Sequence, residues 1–285
     1  MVAIARRHPE WIKVRAPSGE SFFETKRSIK DLRLHTVCEE AHCPNIGECW
    51  GQKTATFMLL GDICTRNCGY CAVEHGRPIE VDADEPRRVA AAAERLGLRH
   101  VVVTSVDRDD LTDGGAGHFA ATAEAIKGRL PGCRVEVLIP DFKGDKAAIR
   151  RVVDAPIDIL NHNTETVPRL YKRVRPGGRY ERSLDLLAEA KNCRPQLLTK
   201  TGLMLGLGEE RAEVLEVFED LAAVGCDILT LGQYLRPSSR QLPVERYLQP
   251  TEFDELRLRA LAAGFRHVES GPLVRSSYHA WNHVS

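Results

Sequence analysis

No stretch of the 285-residue sequence is apolar for long enough to cross a membrane. Nor is there a surplus of charge of either sign, since Lys+Arg and Asp+Glu are equal at 40 each. That balance removes the general electrostatic drive toward nucleic acid or an anionic membrane surface, so neither partner is expected. The N-terminal MVAIARRHPEWIKVRAP lacks the apolar centre of a secretory leader, and the expected location is cytoplasmic. Low-complexity segments and fixed-period repeats are also missing. Hydrophobic residues make up 43% and charged residues 28%, enough for a sizeable core beneath a polar surface.

What the sequence has in quantity is cysteine, nine residues in all. In a reducing compartment structural disulfides are rare, so such enrichment points to metal binding or catalysis. Six of the nine fall between Cys38 and Cys71. The other three, Cys133, Cys193 and Cys226, are scattered and are expected to pack as small apolar residues.

From residue 56 onward, short β-branched runs alternate with amphipathic stretches. The runs are TFMLL (56–60), HVVVTSV (100–106), RVEVLI (134–139), IDILN (157–161), KTGLML (200–205) and DILTLG (227–232). Apolar strands each followed by a crossover helix argue for a parallel sheet covered on both faces. The expected fold is α/β, a partial (β/α)6 TIM-type barrel, with a doubly wound open sheet as the alternative. In either, function belongs at the C-terminal ends of the strands. The expected divisions are an N-terminal extension over residues 1–55, a barrel over 56–264 and a C-terminal extension over 265–285, both extensions lying over the barrel mouth.

Directly after the first strand, GDICTRNCGYCAV places Cys64, Cys68 and Cys71 in a CxxxCxxC array. One short loop with that spacing can wrap three thiolates around a 4Fe–4S cube and leave one iron with an open position. Such a position suits chelation by the amino and carboxylate groups of S-adenosylmethionine (SAM), followed by one-electron cleavage of its sulfonium. A zinc site would favour CxxC pairs and a closed set of four ligands. Upstream, VCEEAHCPNIGECW places Cys38, Cys43 and Cys49 in a second three-thiolate array, again one ligand short.

The paired arrays resemble those of the lipoyl synthase family within the radical SAM superfamily. Similar segments run through nearly the whole chain, among them RDDLTDGGA, NHNTETVPRLYKRVRP, KTGLMLGLGE and SGPLVRSSYHA. The resemblance implies a sulfurtransferase with two 4Fe–4S clusters, one binding SAM on Cys64, Cys68 and Cys71. It further implies insertion of two sulfur atoms at C6 and C8 of an octanoyl chain amide-linked to a lysine. The carrier would be a lipoyl domain of a 2-oxoacid dehydrogenase E2 subunit or of the glycine cleavage H protein. The electron donor would be a flavodoxin or ferredoxin. The auxiliary cluster on Cys38, Cys43 and Cys49 would be consumed as sulfur donor, with the second serine of RSSYHA, Ser277, as its fourth ligand. The sequence alone does not choose between Ser276 and Ser277.

Candidates for SAM contacts follow from their places after the strands. They are Gly114 and Gly115 after the second strand, Asn161, Asn163 and Glu165 after the fourth, and Gly206, Gly208 and Glu209 after the fifth. Helix termini and caps account equally well for these residues. Arg275 and Lys200 are candidates for orienting anionic groups. His35, His42 and His279 lie near the arrays, but with three cysteines in each set they are expected to be ordinary polar residues. Within the superfamily, a methylthiolating or biotin-forming relative is the nearest alternative, and a non-catalytic electron carrier is the alternative of another class.

Overall fold

A computed structural model describes residues 8–14, 16–51, 55–278 and 280. Its strands are β1 (His35–Thr36), β2 (Thr56–Leu59), β3 (Ile63–Cys64), β4 (Glu74–His75), β5 (His100–Ser105), β6 (Arg134–Leu138), β7 (Ile159–Asn161), β8 (Leu198–Leu205), β9 (Ile228–Gln233) and β10 (His267–Gly271). The main sheet runs β1-β2-β5-β6-β7-β8-β9-β10, and β3 pairs with β4 in a small second sheet. From β2 to β10 every pairing is parallel. The spatial order follows the chain order without the reversal that a doubly wound sheet would show, so the chain winds one way, as in a barrel.

All six expected strands are present, and the sheet carries one more at each edge. At one edge β1 pairs antiparallel with β2. At the other, β10 pairs parallel with β9. The segment from residue 265 is therefore not only an extension, because it first contributes a barrel strand. HVESG lacks the continuous apolar run of the inner strands and is mostly half-buried, which hid it from a hydrophobicity argument.

The helices are α1 (Glu20–Asp31), α2 (Val37–Glu40), α3 (Ile46–Gly51), α4 (Glu85–Leu96), α5 (Ala116–Arg129), α6 (Lys146–Val153), α7 (Tyr171–Val174), α8 (Tyr180–Cys193), α9 (Arg211–Ala223) and α10 (Pro250–Ala263). Helix α4 starts with Pro86 in its first turn and ends at Gly97, whose φ of 64° is the left-handed conformation a glycine tolerates best. Its buried face (Val89, Ala90, Ala93, Leu96) covers the sheet beside α5.

Inside the barrel, below the strand ends, lies a sealed polar layer. Lys200 Nζ donates to Glu136 Oε1 at 2.8 Å with both side chains fully buried. Asn161 Nδ2 donates to the same oxygen at 3.0 Å, and His100 Nε2 lies 3.4 Å from Glu136 Oε2. Burial alone would raise the Glu136 carboxyl, but the Lys200 ammonium and His100 override it and hold the group at about 2. Burial likewise draws the Lys200 ammonium down, against the pull of Glu136. Glu136→Gln would leave that ammonium uncompensated, and a loss of about 3–5 kcal/mol is expected in denaturant unfolding. The sign with pH follows from the depressed carboxyl: its contribution is complete above its ordinary value and fades as pH falls toward 2. Acid titration of the variant's stability should therefore lack that component.

Candidate functional site

The loop after β2 returns through β3 and β4, and this brings Cys64, Cys68 and Cys71 to the C-terminal face of the sheet. The chain fixes each turn of the loop with hydrogen bonds. Thr65 N and Oγ1 both donate to Asp107 O, at 3.0 and 2.8 Å. Gly69 N donates to Val174 O at 2.9 Å, Leu242 N to Gly69 O at 2.8 Å, and Gln241 Nε2 to Cys71 O at 3.0 Å. A side chain at Gly69 would press on Leu242 and on the Arg173 carbonyl, so the small residue before Tyr70 lets three loops meet.

Between the first two cysteines, Arg66 anchors the loop from below. Its guanidinium forks onto Asp109 at 2.8 Å through both Nε and Nη2, reaches Asp141 Oδ1 at 2.6 Å and lies 3.4 Å from Asp107 Oδ1. Asp141 is also held by Arg182 at 2.9 Å and is 1% exposed. A planar fork satisfied by carboxylates from two strand-end loops locks position in a way that a lysine cannot. Arg66→Gln is expected to cost about 3 kcal/mol of stability, as for a broken buried pair. It should also lower iron bound by the CxxxCxxC loop more than iron bound by the other array, measured by metal analysis of each cluster in turn.

Burial dominates the thiols of both arrays. It pushes Cys68 up to about 12, with Arg175 pulling the other way, and Cys71 up to about 11. Cys64 is raised by burial and then by Asp107. In the second array burial, followed by the neighbouring Cys43, brings Cys38 to about 12. Cys49 is raised by burial and by both Cys38 and Cys43, and Cys43 by burial. Each cysteine that feels another thiol feels only thiols of its own array. Such groups become thiolates only when a strong cation offsets the burial, which is what iron supplies. No three His, Cys, Asp or Glu among the described residues converge on one ion. A cluster asks for something else, one thiolate on each of several irons, and the donor sets fit it.

The second array sits at the edge of the sheet, with Cys38 on α2, Cys49 on α3 and Cys43 in the turn between them, where the two termini of the fold meet. Thr56 N–H, at the start of β2, points to the Cys38 sulfur. Thr56 Oγ1 donates to Ser277 Oγ at 2.8 Å, and Asn45 Nδ2 donates to Leu273 O at 2.7 Å. The two serines of RSSYHA thus part company: Ser276 lines the central cavity and Ser277 accepts from Thr56 at the start of β2. His279 lies outside the described residues, whereas His35 pairs with Glu40 at 3.6 Å.

Against the loop array lies a cavity of about 300 Å³, large enough for a nucleoside-sized ligand. Cys64, Cys68, Cys71, Asn163, Glu165, Arg275 and Ser276 line it, together with Met58, Val106, Leu138 and Met204. Tyr70 Oη donates to Glu165 Oε1 at 3.0 Å, and Arg175 Nη1 donates to Asn163 O at 2.7 Å. Ser105 Oγ and Asn163 Oδ1 are buried there with no partner among the described residues, so the wall holds polar groups that a polar ligand would satisfy. Gly202 leaves that room, since a Cβ there would fall 2.9 Å from Asn163 Oδ1.

Several expected SAM contacts lie elsewhere. Gly114 and Gly115 open α5 with positive φ, and a side chain on them would strike Phe142 and Leu60, so packing accounts for both. Asn161 and Lys200 are sealed in the Glu136 layer below the cavity. At Gly206 a Cβ would collide with Gln233 and the Arg246 carbonyl. Glu209 is occupied by the backbone N–H groups of Gly206 and Leu207, and Gly208 faces Glu245. What sequence reasoning missed is Arg66, Ser105, Asp107 and Arg175. The DRDD run after the second strand (107–110), three carboxylates at a strand end, was the available signal for Asp107 and Asp109.

The chain's likeness to other proteins follows the same two arrays. The profile of the Radical SAM superfamily matches residues 58–221, and that of the N-terminal domain of lipoyl synthase matches residues 3–43. The lipoyl synthase of Rubrobacter xylanophilus is 58% identical over 95% of this chain and 85% of its own. That of Koribacter versatilis is 59% identical over 95% and 90%. The chain belongs to the lipoyl synthase family. Its members are radical SAM sulfurtransferases, so 4Fe–4S clusters and SAM are its cofactors and lipoyl-carrier proteins its class of partner. Methylornithine synthase shares the fold at a TM-score of 0.56 and 15% identity, over 88% of this chain and 79% of that one. No described helix is long and apolar enough to cross a membrane.

Proposed function

We propose that Cys64, Cys68 and Cys71 hold the SAM-binding cluster, and that Cys38, Cys43, Cys49 and Ser277 hold the auxiliary one. The substrate is an octanoyl chain on a lysine of a lipoyl-carrier domain, of the E2 or H-protein kind, with flavodoxin or ferredoxin as electron donor. Residues 1–55 and the segment after β10 supply the auxiliary ligands, and the barrel supplies the rest. The observation that carries this reading is the CxxxCxxC thiol set lining one cavity, with Arg275 and Ser276 of the RSSYHA segment lining it as well and Ser277 bonded to Thr56. When bound, the groups supply a carbon radical able to take hydrogen from an unactivated C–H bond, and sulfur to replace it.

The chain's own residues prepare the ground for that chemistry. Arg66 and its three aspartates keep the SAM-binding loop in register with β5 and β6. Asn163, Ser105 and Glu165 offer acceptors and donors to SAM's polar groups, with Glu165 steadied by Tyr70. Met58, Val106, Leu138 and Met204 form an apolar wall suited to an alkyl chain and hostile to water, which protects a radical from quenching.

The test is anaerobic. Reconstituted protein is mixed with SAM, a strong reductant and an octanoyl-lysyl peptide, and the peptide is followed by mass spectrometry. Gain of two sulfurs through a singly thiolated intermediate is the expected result. An unchanged peptide beside abundant 5′-deoxyadenosine would overturn the substrate assignment while leaving SAM cleavage in place.

A further inference from the structure

A cation held inside a protein without a carboxylate is unusual, because its desolvation goes uncompensated. The other arginines around the cavity have answers: Arg66 has three aspartates, Arg182 has Asp141, and Arg175 has the Asn163 carbonyl and the nearby Glu165. Arg275 differs. It is half-buried, lines the cavity, and donates Nη1 to the carbonyl of its own neighbour, Val274, at 2.6 Å. Asn45, two residues after Cys43, donates Nδ2 to the Leu273 carbonyl at 2.7 Å and so seats the segment carrying Arg275 against the loop of the auxiliary array, where Cys43 favours the charged guanidinium.

The fold takes trouble to put it there. Gly232, at the end of β9, is bare where a Cβ would collide with the Val274 carbonyl and stand 3.3 Å from Arg275 Nη1. The segment after β10 can therefore lie against β9, with its arginine lining the cavity. Two residues on, Ser277 reaches Thr56.

We infer that Arg275 is the counter-cation of the auxiliary-cluster site, a positioning residue that offsets the negative charge three thiolates and a serine oxygen bring to Cys38, Cys43, Cys49 and Ser277. The inference rests on the ligand set proposed above. Three thiolates and an alkoxide carry more negative charge than a 4Fe–4S core carries positive. A guanidinium beside them in a low-dielectric setting favours the more reduced cluster and opposes loss of iron. Arg275 would thus influence when the cluster accepts an electron and how firmly it is kept, without ligating it.

The experiment uses the full chain carrying Cys64→Ala, Cys68→Ala and Cys71→Ala, so that a single cluster assembles on reconstitution. Arg275→Met and Arg275→Lys are made in that background. Bound iron and sulfide, the midpoint potential and the rate of iron loss to a chelator are compared, and circular dichroism checks the fold. Arg275→Met should bind the cluster at a more negative potential and release iron on the order of tenfold faster, since the screening charge is gone. Arg275→Lys should stay close to the parent, since it keeps the charge. Equal potentials and equal iron loss in Arg275→Met and the parent would overturn the inference and leave the ligand set standing. Equal shifts in the Met and Lys variants would also overturn it, because packing rather than charge would be at work. A folded parent that binds no iron would remove the ligand set and the inference together. Should Arg275→Met fail to fold, Arg275→Gln, neutral and polar, takes its place in the same comparison.

Discussion

Cys68→Ala should reduce SAM cleavage to the background given by reductant alone, whereas Cys43→Ala should keep cleavage within about threefold of wild type and yield no thiolated peptide, as expected for independent sites. The reason is geometric. Cys68 lies in the loop that Arg66, Gln241 and Leu242 pin at the strand ends, facing the cavity. Cys43 lies between α2 and α3 at the edge of the sheet, and its array shares no thiol neighbour with the loop array. Removing one ligand of the loop set should unseat the iron that SAM needs and leave the other donors intact. Removing Cys43 should empty only the sulfur-supplying site. The measurement is paired: 5′-deoxyadenosine by chromatography and peptide mass from the same reaction, with iron analysis to establish that the untouched cluster is present. Loss of cleavage in both variants with the remaining cluster intact would refute the division of labour.

The same geometry explains what could be read in the chain and what could not. Cysteine spacing is local, so a loop of three thiolates after a strand announces itself in eight residues, Cys64 to Cys71. The inner strands announce themselves by continuous apolar runs. Strand β10 does not, because an edge strand with half-buried residues carries no such run. The supports of the site are non-local. Arg66 finds its carboxylates at positions 107, 109 and 141, and nothing in sequence spacing pairs them. Glycines misled for a related reason. A glycine after a strand is equally consistent with ligand approach and with close packing, and only the neighbours of the missing Cβ separate the two. Gly115 against Leu60 and Gly206 against Gln233 are packing glycines. Gly202 lies inside a strand rather than after one, and it lets the Thr230 hydroxyl and the Asn163 side chain approach the backbone beside the cavity. A buried charge pair such as Lys200–Glu136, which spans from β6 to β8 across β7, is likewise invisible until three strands lie in register.

Ser277→Cys should keep the auxiliary cluster and SAM cleavage but lower dithiolated product by roughly tenfold or more, an energy of about 1.4 kcal/mol or above in the slow step. A serine oxygen is a harder and weaker partner for iron than a thiolate, so it can let go when the cluster must give up sulfur, whereas a cysteine in its place should hold on. The local structure gives the substitution a chance to test that point and little else. Among the described residues Ser277 Oγ has one hydrogen-bond partner, Thr56 Oγ1, and Thr56 also presents its N–H to the Cys38 sulfur, so the position is held by β2. A thiol at 277 would remain beside the array, and the neighbouring Ser276, which faces the cavity, would be undisturbed. Ser276→Cys is therefore the control and should leave cluster release unaffected. If Ser277→Cys makes dithiolated product at the wild-type rate, lability of the serine is not part of the mechanism. If it fails to bind the auxiliary cluster at all, the oxygen at 277 matters for assembly rather than release. Iron and sulfide counts before and after a single turnover distinguish these results, because a cluster that keeps its iron and loses only the one sulfide found in a mono-thiolated peptide is the outcome that a firmer fourth ligand requires.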